Sequence, residues 1–235
     1  MRTIAILPVK SFGAAKQRLA ERLARGSRQA LAKAMLSDVL SSLRNVAGLE
    51  AIAVVTADPT AESAAAGSRV RVLPDPHEAG QSQAALVGID YAQASGYDRV
   101  LLVPGDTPLL DPGELSGLLE RAAEKAIAVV VVPDRHGTGT NALLLTPPDA
   151  IEPSFGEGSL ERHVGAARTA GLTFAVVPLP SLVLDIDTPE DLEELSGQLA
   201  ERRGPAPVTR GALRQLDRSQ AGARAASDRG ARISA

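Results

Sequence analysis

The chain of 235 residues contains no cysteine and no tryptophan, and only 2% of its residues are aromatic. The absence of cysteine excludes disulfides, thiolate nucleophiles and cysteine-ligated zinc. Imidazole is scarce as well, since histidine occurs only at His77, His136 and His163. Any metal that the protein binds is therefore expected to be a hard cation with oxygen ligands.

Long apolar runs are also missing, because no stretch approaches the ~20 residues that a membrane-spanning helix requires. Residues 3–9 already form a strand-like run, without the charged and then apolar pattern of a signal peptide. We therefore expect a cytoplasmic protein with no membrane partner. Hydrophobic residues make up 44% of the chain, which is enough to build a sizeable core.

The two ends of the chain differ in charge. Residues 1–200 carry 17 Lys and Arg against 25 Asp and Glu, whereas residues 201–235 carry 8 Arg against 3 acidic residues. The basic end has no aromatic residues that could stack on bases, so we do not expect nucleic acid as a partner. It also lacks a periodic apolar face. These features predict one folded domain over residues 1–200 and a disordered basic tail over residues 201–235.

Short β-branched runs alternate with helical stretches, a pattern typical of an α/β fold with a mostly parallel sheet and helices on both faces. The expected strands are residues 3–9, 51–56, 70–73, 99–103, 126–132, 141–145, 172–177 and 182–186. Expected helices cover residues 81–94, 112–125, 160–170 and 188–199. A further helix is expected between the first two strands, with one apolar face made of Leu36, Val39, Leu40, Leu43 and Val46. Ligands of such sheets bind beyond the carboxyl ends of the strands, so functional residues should lie in the loops there.

Three aspartates lie at the ends of expected strands. Asp106 follows the fourth strand between Gly and Pro residues, where an ordinary turn residue is the alternative interpretation. Asp185 and Asp187 close the last expected strand, and strand alternation would direct both side chains to the same side. An unpaired carboxylate in an apolar strand is costly, which favours a functional role for Asp185. Together the three carboxylates predict a magnesium or manganese site.

The loop after the first strand is basic. Lys10, Lys16 and Arg18 stand among glycine and other small residues, a composition suited to a triphosphate, although ordinary solvated cations are the alternative. Neither a Walker A sequence nor Gly-x-Gly-x-x-Gly follows the strand, which argues against the common P-loop and dinucleotide-binding folds.

Two Gly-rich segments together predict an anion pocket. Residues 134–141, which include Thr140, offer backbone NH groups and hydroxyls. Gly156 and Ser159 precede an expected helix whose N-terminus would attract an anion. Each segment alone could be an ordinary turn or a helix cap. Their combination favours a site for a phosphate or carboxylate.

The motifs resemble, in this order, the 2-phospho-L-lactate or phosphoenolpyruvate guanylyltransferases of deazaflavin coenzyme F-420 biosynthesis. The most specific are Gly-Thr-Gly-Thr at residues 137–140, Phe-Gly-x-x-Ser at residues 155–159 and Asp-x-Asp-Thr-Pro-x-Asp-Leu at residues 185–192. The resemblance extends from about residue 4 to residue 192. It implies a glycosyltransferase-A-like nucleotidyltransferase fold, related to that of the nucleotide-diphospho-sugar transferases.

The resemblance also implies a role for each candidate residue. Metal binding and catalysis would fall to Asp106, Asp185 and Asp187. The phosphorylated acid would be held by Thr140, Gly156 and Ser159, and the nucleotide phosphates by Lys10, Lys16 and Arg18. Residues 80–86 depart from the family pattern, because they read Gly-Gln-Ser-Gln-Ala-Ala-Leu where relatives often have Leu-Asn, so the residues that select guanine stay open.

The implied reaction transfers GMP from GTP to the phosphate of phosphoenolpyruvate or 2-phospho-L-lactate. With phosphoenolpyruvate the products are enolpyruvyl-2-diphospho-5'-guanosine and pyrophosphate. A phosphate monoester with a second pKa of about 6 is largely dianionic at neutral pH, so no general base is needed. Mg²⁺, or Mn²⁺, would screen the charge of the two polyanionic substrates.

Other interpretations stay open at this stage. A nucleotidyltransferase with a molybdopterin or sugar-acid acceptor would share the metal-binding aspartates, and a non-catalytic nucleotide-binding module would need neither Asp185 nor a second anion pocket. The choice among phosphoenolpyruvate, 2-phospholactate and 3-phosphoglycerate depends on the shape of the pocket. The sequence also leaves the oligomeric state open, a homodimer included.

Overall fold

The computed structural model describes residues 1–12, 16–66, 70–201 and 204–219. Seven strands form one sheet in the order β3-β2-β1-β4-β6-β5-β7. They are β1 (Thr3–Pro8), β2 (Ala51–Thr56), β3 (Val70–Pro74), β4 (Arg99–Leu102), β5 (Val129–Pro133), β6 (Thr140–Leu145) and β7 (Phe174–Val176). All pairs are parallel except those of β6, which is antiparallel to both β4 and β5. The prediction of a mostly parallel sheet is confirmed.

Helices cover the sheet. They are α1 (Arg25–Leu43), α2 (Pro59–Ala65), α3 (Gln81–Ala94), α4 (Pro112–Glu124), α5 (Ser159–Thr169), α6 (Pro189–Glu201) and α7 (207–219). The bounds of α3 are those expected from the sequence, whereas α1 begins well before residue 36 and α2 was not predicted. None of the helices in the described part of the chain is long and apolar enough to cross a membrane.

Side chains alternate between two core layers along the central strand β1. Ala5 and Leu7 pack in a cluster with residues of α1, α2 and α4, while Ile4 and Ile6 pack in a second cluster with residues of α3 and α5. Gly88 lets α3 lie close to the sheet, because a Cβ there would be only 2.3 Å from Ile6 Cγ2. The prediction of helices on both faces is therefore confirmed.

The expected strand over residues 182–186 is absent, and this prediction was wrong. A short 3-10 helix, Pro180–Leu182, is followed by irregular backbone up to α6. The apolar residues of this segment are buried all the same, Leu184 and Ile186 in a third cluster that includes Leu195 of α6. Their alternation reflects packing against helices and not pairing within the sheet.

Part of the expected disordered tail is folded, because residues 207–219 form helix α7. Leu213 and Leu216, one turn apart, pack against the third cluster. The buried carboxylate of Asp38 in α1 accepts hydrogen bonds from Val208 N (3.1 Å) and Thr209 N (2.7 Å) at the start of α7. Helix α7 has no long apolar face, but two leucines and the hydrogen bonds to Asp38 hold it against the domain. The rest of the predicted tail, residues 202–203 and 220–235, lies outside the described residues.

Candidate active site

An open cleft of about 610 Å³ lies at the edge of the sheet where β1 and β4 end. Because β6 runs antiparallel to β4, its first residue, Thr140, reaches this same edge. All nine residues predicted from the sequence line the cleft: Lys10, Lys16, Arg18, Asp106, Thr140, Gly156, Ser159, Asp185 and Asp187.

Lys16 lies between two of the predicted metal ligands. Only 7% of its side chain is exposed, and its Nζ donates to Asp187 Oδ1 at 3.0 Å and also to Asp106 Oδ2. Burial disfavours the charged ammonium, but the two carboxylates outweigh burial and raise the pKa of Lys16 above its usual range. The sequence predicted the basic loop and the aspartates as two separate sites. In the structure, Lys16 of the loop forms ion pairs with two of the aspartates.

Asp185 has no cationic partner among the hydrogen bonds and ion pairs of the described residues. Its Oδ1 accepts a long hydrogen bond, 3.4 Å, from Asn141 Nδ2, which also donates to Leu182 O at 2.7 Å. Burial, together with the negative charges of Asp106 and Asp187, raises the pKa of Asp185 to about 6. The three carboxylates therefore lie close enough to repel one another, and one ammonium does not compensate them fully.

The donor set of this acid cluster, defined as Asp106, Asp185 and Asp187, suits Mg²⁺ or Mn²⁺, which prefer carboxylate oxygens. The uncompensated charge on Asp185 is the kind of charge that a divalent cation neutralises. As the side chains stand, no three Asp, Glu or His residues of the described chain form a ready-made metal centre, and the Lys16 ammonium pairs with two of the three aspartates. The chemistry of the residues fits a hard cation, provided that Lys16 gives up part of its pairing.

The start of α6 holds Asp187 in place. Asp191 Oδ2 accepts hydrogen bonds from Asp187 N at 3.0 Å and Thr188 N at 2.7 Å, and Asp191 N donates to Thr188 Oγ1 at 3.2 Å. These reciprocal hydrogen bonds between Thr188 and Asp191 form a capping box. Arg135 donates to Asp191 Oδ1 at 2.7 Å, which ties the loop between β5 and β6 to the same helix start.

The predicted anion pocket has a buried imidazole behind it. His163 Nδ1 lies 3.0 Å from Thr140 Oγ1, and the backbone NH of Ser154 donates to His163 Nε2 at 2.8 Å. Burial, and to a lesser extent the charge of Arg162, lowers the pKa of His163 to about 4, so the ring is neutral at pH 7.

The pocket wall around Ser159 is held at several points. The Ser159 hydroxyl is buried and has no hydrogen-bond partner in the described part of the chain, although its residue lines the cleft at the N-terminus of α5. Gly156 has a φ of +105°, which favours glycine, and Gly156 O accepts from Ser159 N at 3.1 Å. Arg162 donates to Ser154 O at 3.0 Å, and Phe155 N donates to Ser82 Oγ of α3 at 2.9 Å. The loop is thus fixed before any ligand binds.

Lys10 and Arg18 lie at the rim of the cleft and are exposed. Residues 13–15 of the predicted basic loop lie outside the described residues. Sequence reasoning missed Asn141, His163 and the Arg135–Asp191 pair. His163 stands four residues after Ser159, so both occupy one face of α5, and this spacing was the available signal.

The same fold occurs in solved nucleotidyltransferases. A nucleotidyl transferase from Methanothermobacter thermautotrophicus matches with a TM-score of 0.62 at 20% identity, over 85% of this chain and 98% of that chain. A cytidylyltransferase from Leptospira borgpetersenii matches with a TM-score of 0.60 at 16% identity, over 94% and 96%. The likeness at these identities concerns the fold, which is that of the nucleotidyltransferases.

Sequence relatives define the family. The family model described as "Guanylyl transferase CofC like" matches residues 3–203. A phosphoenolpyruvate guanylyltransferase from Conexibacter woesei is 51% identical over 219 residues, which cover 93% of this chain and 98% of that protein. A 2-phospho-L-lactate guanylyltransferase from Methanothermobacter thermautotrophicus is 35% identical, over 83% and 84%. The chain belongs to the CofC-like guanylyl transferase family, and the resemblance found in its motifs is confirmed.

Proposed function

We propose that this guanylyltransferase acts in the cytoplasm and transfers GMP from GTP to the phosphate of phosphoenolpyruvate, as a step of coenzyme F-420 biosynthesis. The observation that carries the proposal is a preformed anion pocket beside an acid cluster in one cleft. A non-catalytic nucleotide-binding module would need only one of these two sites. The name of the relative that is 51% identical supports phosphoenolpyruvate as the acceptor.

The anion pocket would hold the acceptor through neutral donors. Ser159 contributes a buried hydroxyl that has no hydrogen-bond partner among the described residues, and Thr140 contributes a second hydroxyl from the first residue of β6. The NH groups of Ser159 and Leu160 donate to Gly156 O and Thr138 O, so the start of α5 would contribute the positive end of its helix dipole, which is a favourable field for an anion. A small acid with a phosphate and a carboxylate matches this set of donors better than a large uncharged acceptor does.

The triphosphate of GTP would lie on the other side of the cleft. Lys10 and Arg18 on the rim would bind its phosphate oxygens, and Lys16 would join them. Asp106, Asp185 and Asp187 would hold Mg²⁺, which when bound supplies positive charge for the phosphates. Lys16 of the basic loop pairs with Asp106 and Asp187, so it can bind phosphate oxygens when a metal compensates these aspartates.

The reaction itself needs positioning more than proton transfer. A phosphate oxygen of the acceptor attacks the α-phosphorus of GTP, the bond between that phosphorus and the bridging oxygen of the β-phosphate breaks, and pyrophosphate leaves with the bonding electrons. The acceptor phosphate, with a second pKa of about 6, is already a nucleophile at pH 7. The chain has no cysteine and needs no general base for this step, so its residues act by orientation and charge stabilisation.

The test is pyrophosphate release from GTP with a panel of acceptors. Phosphoenolpyruvate, 2-phospho-L-lactate and 3-phosphoglycerate would be compared at saturating Mg²⁺, with GTP alone as the blank and CTP and ATP as competing donors. We expect fast release with GTP and phosphoenolpyruvate, and a product with the mass of guanosine diphosphate joined to enolpyruvate. Preference for 2-phospho-L-lactate, the acceptor in the name of the relative that is 35% identical, would reassign the acceptor. GTP binding without turnover of any acceptor would leave only the module interpretation.

A further inference from the structure

The imidazole of His163 is fully buried behind the anion pocket and contacts two of its walls. The backbone NH of Ser154 can only donate, so His163 Nε2 must be the acceptor of that hydrogen bond. A neutral imidazole then carries its proton on Nδ1. It follows that His163 Nδ1 donates to Thr140 Oγ1, and that the hydroxyl hydrogen of Thr140 is left to point elsewhere.

We propose that His163 is a positioning residue for the acceptor: it occupies one lone pair of the Thr140 hydroxyl, so that this hydroxyl serves as a hydrogen-bond donor into the cleft. An isolated Thr hydroxyl can rotate and can accept as well as donate. An anionic acceptor substrate can only accept hydrogen bonds. Because the Thr140 oxygen already accepts from His163, its hydroxyl hydrogen is free to donate to that anion. This inference rests on the proposed function, in which Thr140 binds the phosphorylated acid.

The surroundings of His163 agree with an orienting role. Its ring meets Phe155 edge to face, with centroids 5.4 Å apart and planes at 72°. Ser159, whose buried hydroxyl bonds to no other group that the structure describes, lies one turn earlier on the same face of α5. His163 lies on α5 and therefore connects this helix to two other parts of the pocket, β6 through Thr140 and the loop before α5 through Ser154.

Two substitutions separate the two hydrogen bonds of the ring. The amide of Asn overlaps the position of Nδ1, so His163→Asn can still donate to Thr140. The amide of Gln overlaps Nε2, so His163→Gln can still accept from Ser154 but leaves Thr140 without its donor. We expect His163→Gln to raise the KM for phosphoenolpyruvate about tenfold, the factor expected when a hydrogen bond to a charged group is lost. His163→Asn should keep the KM for phosphoenolpyruvate close to that of the wild type. The KM for GTP should change little in both variants.

A double-mutant cycle tests whether His163 acts through Thr140. In a Thr140→Val background the hydroxyl is gone, so His163→Gln should add almost nothing to the KM for phosphoenolpyruvate. Val164→Ala is the matched control, because Val164 is the next residue of α5 and packs in the core without lining the cleft. If His163→Gln and Val164→Ala raised the KM for phosphoenolpyruvate equally, His163 would have only a structural role and the proposal would be overturned. Fully additive effects of His163→Gln and Thr140→Val on this KM would overturn it as well.

The tautomer can be read without any substrate. Long-range ¹H–¹⁵N correlation spectra of the ¹⁵N-histidine-labelled full chain distinguish protonated from unprotonated ring nitrogens, and His77→Asn and His136→Asn assign the three rings. We expect His163 to be the Nδ1–H tautomer at pH 7. An Nε2–H tautomer or a charged ring would overturn the proposal whatever the acceptor. If the wild type released no pyrophosphate with phosphoenolpyruvate, the proposed function would fail separately, and the spectrum would still decide the orientation of Thr140.

Discussion

Replacing Asp185 with Asn should make the metal-free protein more stable while it cripples turnover. Burial and the charges of Asp106 and Asp187 raise the pKa of Asp185 from 3.8 to about 6, which corresponds to a cost of about 3 kcal/mol for the charged form. Asp185 is only partly buried, so solvent screening makes this an upper value. An Asn keeps the shape, and its amide carries no charge for the other two aspartates to repel.

The gain should depend on pH in a defined way. Below pH 3.8 the carboxyl is protonated in both the folded and the unfolded chain, so the variant gains nothing there. Between 3.8 and about 6 the unfolded chain loses its proton first, and the wild type loses stability as pH rises. Above that range the full difference of about 1 to 3 kcal/mol should be present.

The assay is urea unfolding of both proteins in EDTA at pH 4.5 and pH 7.5, followed by the same measurement with Mg²⁺. Asp149→Asn is the matched control, because this exposed aspartate follows the far end of β6, at the sheet edge opposite the cleft. Asp106→Asn should have the opposite sign, since it removes a partner of the buried Lys16 ammonium. Mg²⁺ should stabilise the wild type more than Asp185→Asn. If Asp185→Asn were the less stable protein at pH 7.5 in EDTA, the picture of three mutually repelling carboxylates would be refuted.

Three further predictions concern the pocket and the C-terminal helix. Ser159→Ala should raise the KM for phosphoenolpyruvate by roughly tenfold and leave the KM for GTP nearly unchanged, as steady-state kinetics with each substrate varied would reveal; equal effects on both substrates would misplace the acceptor. Asp38→Ala should lower the free energy of unfolding by about 1 to 2 kcal/mol through loss of the α7 cap, and truncation after Gly204 should cost more, whereas a fully stable truncated protein would contradict the packing of α7. His163 has a folded pKa lowered from 6.5 to about 4, so its unfolded form protonates first and stability should fall by up to about 3 kcal/mol as pH drops through that window. Denaturation of His163→Asn across the same pH range should lack this slope, and an unchanged slope would place the acid-sensitive group elsewhere.

The sequence determined those features whose causes lie within a few residues. The bounds of α3 follow from its own apolar spacing, and the start of α6 follows from the capping box of Thr188 and Asp191. It also determined which residues would gather at the cleft, since residues that follow parallel strands meet at one edge of the sheet. For Asp185 and Asp187 this conclusion held although its premise, a strand over residues 182–186, was wrong.

The pairing of those residues depends on the tertiary structure. Lys16 and Asp187 are 171 positions apart, and nothing in local periodicity indicates that the ammonium of one lies 3.0 Å from the carboxylate of the other. The direction of β6, the imidazole behind Thr140 and the cap that Asp38 gives to α7 likewise depend on contacts between distant segments. Residue type and short-range spacing specify which chemistry is available, whereas charge compensation and hydrogen-bond direction depend on which groups share a buried space, and that is fixed when the whole chain packs.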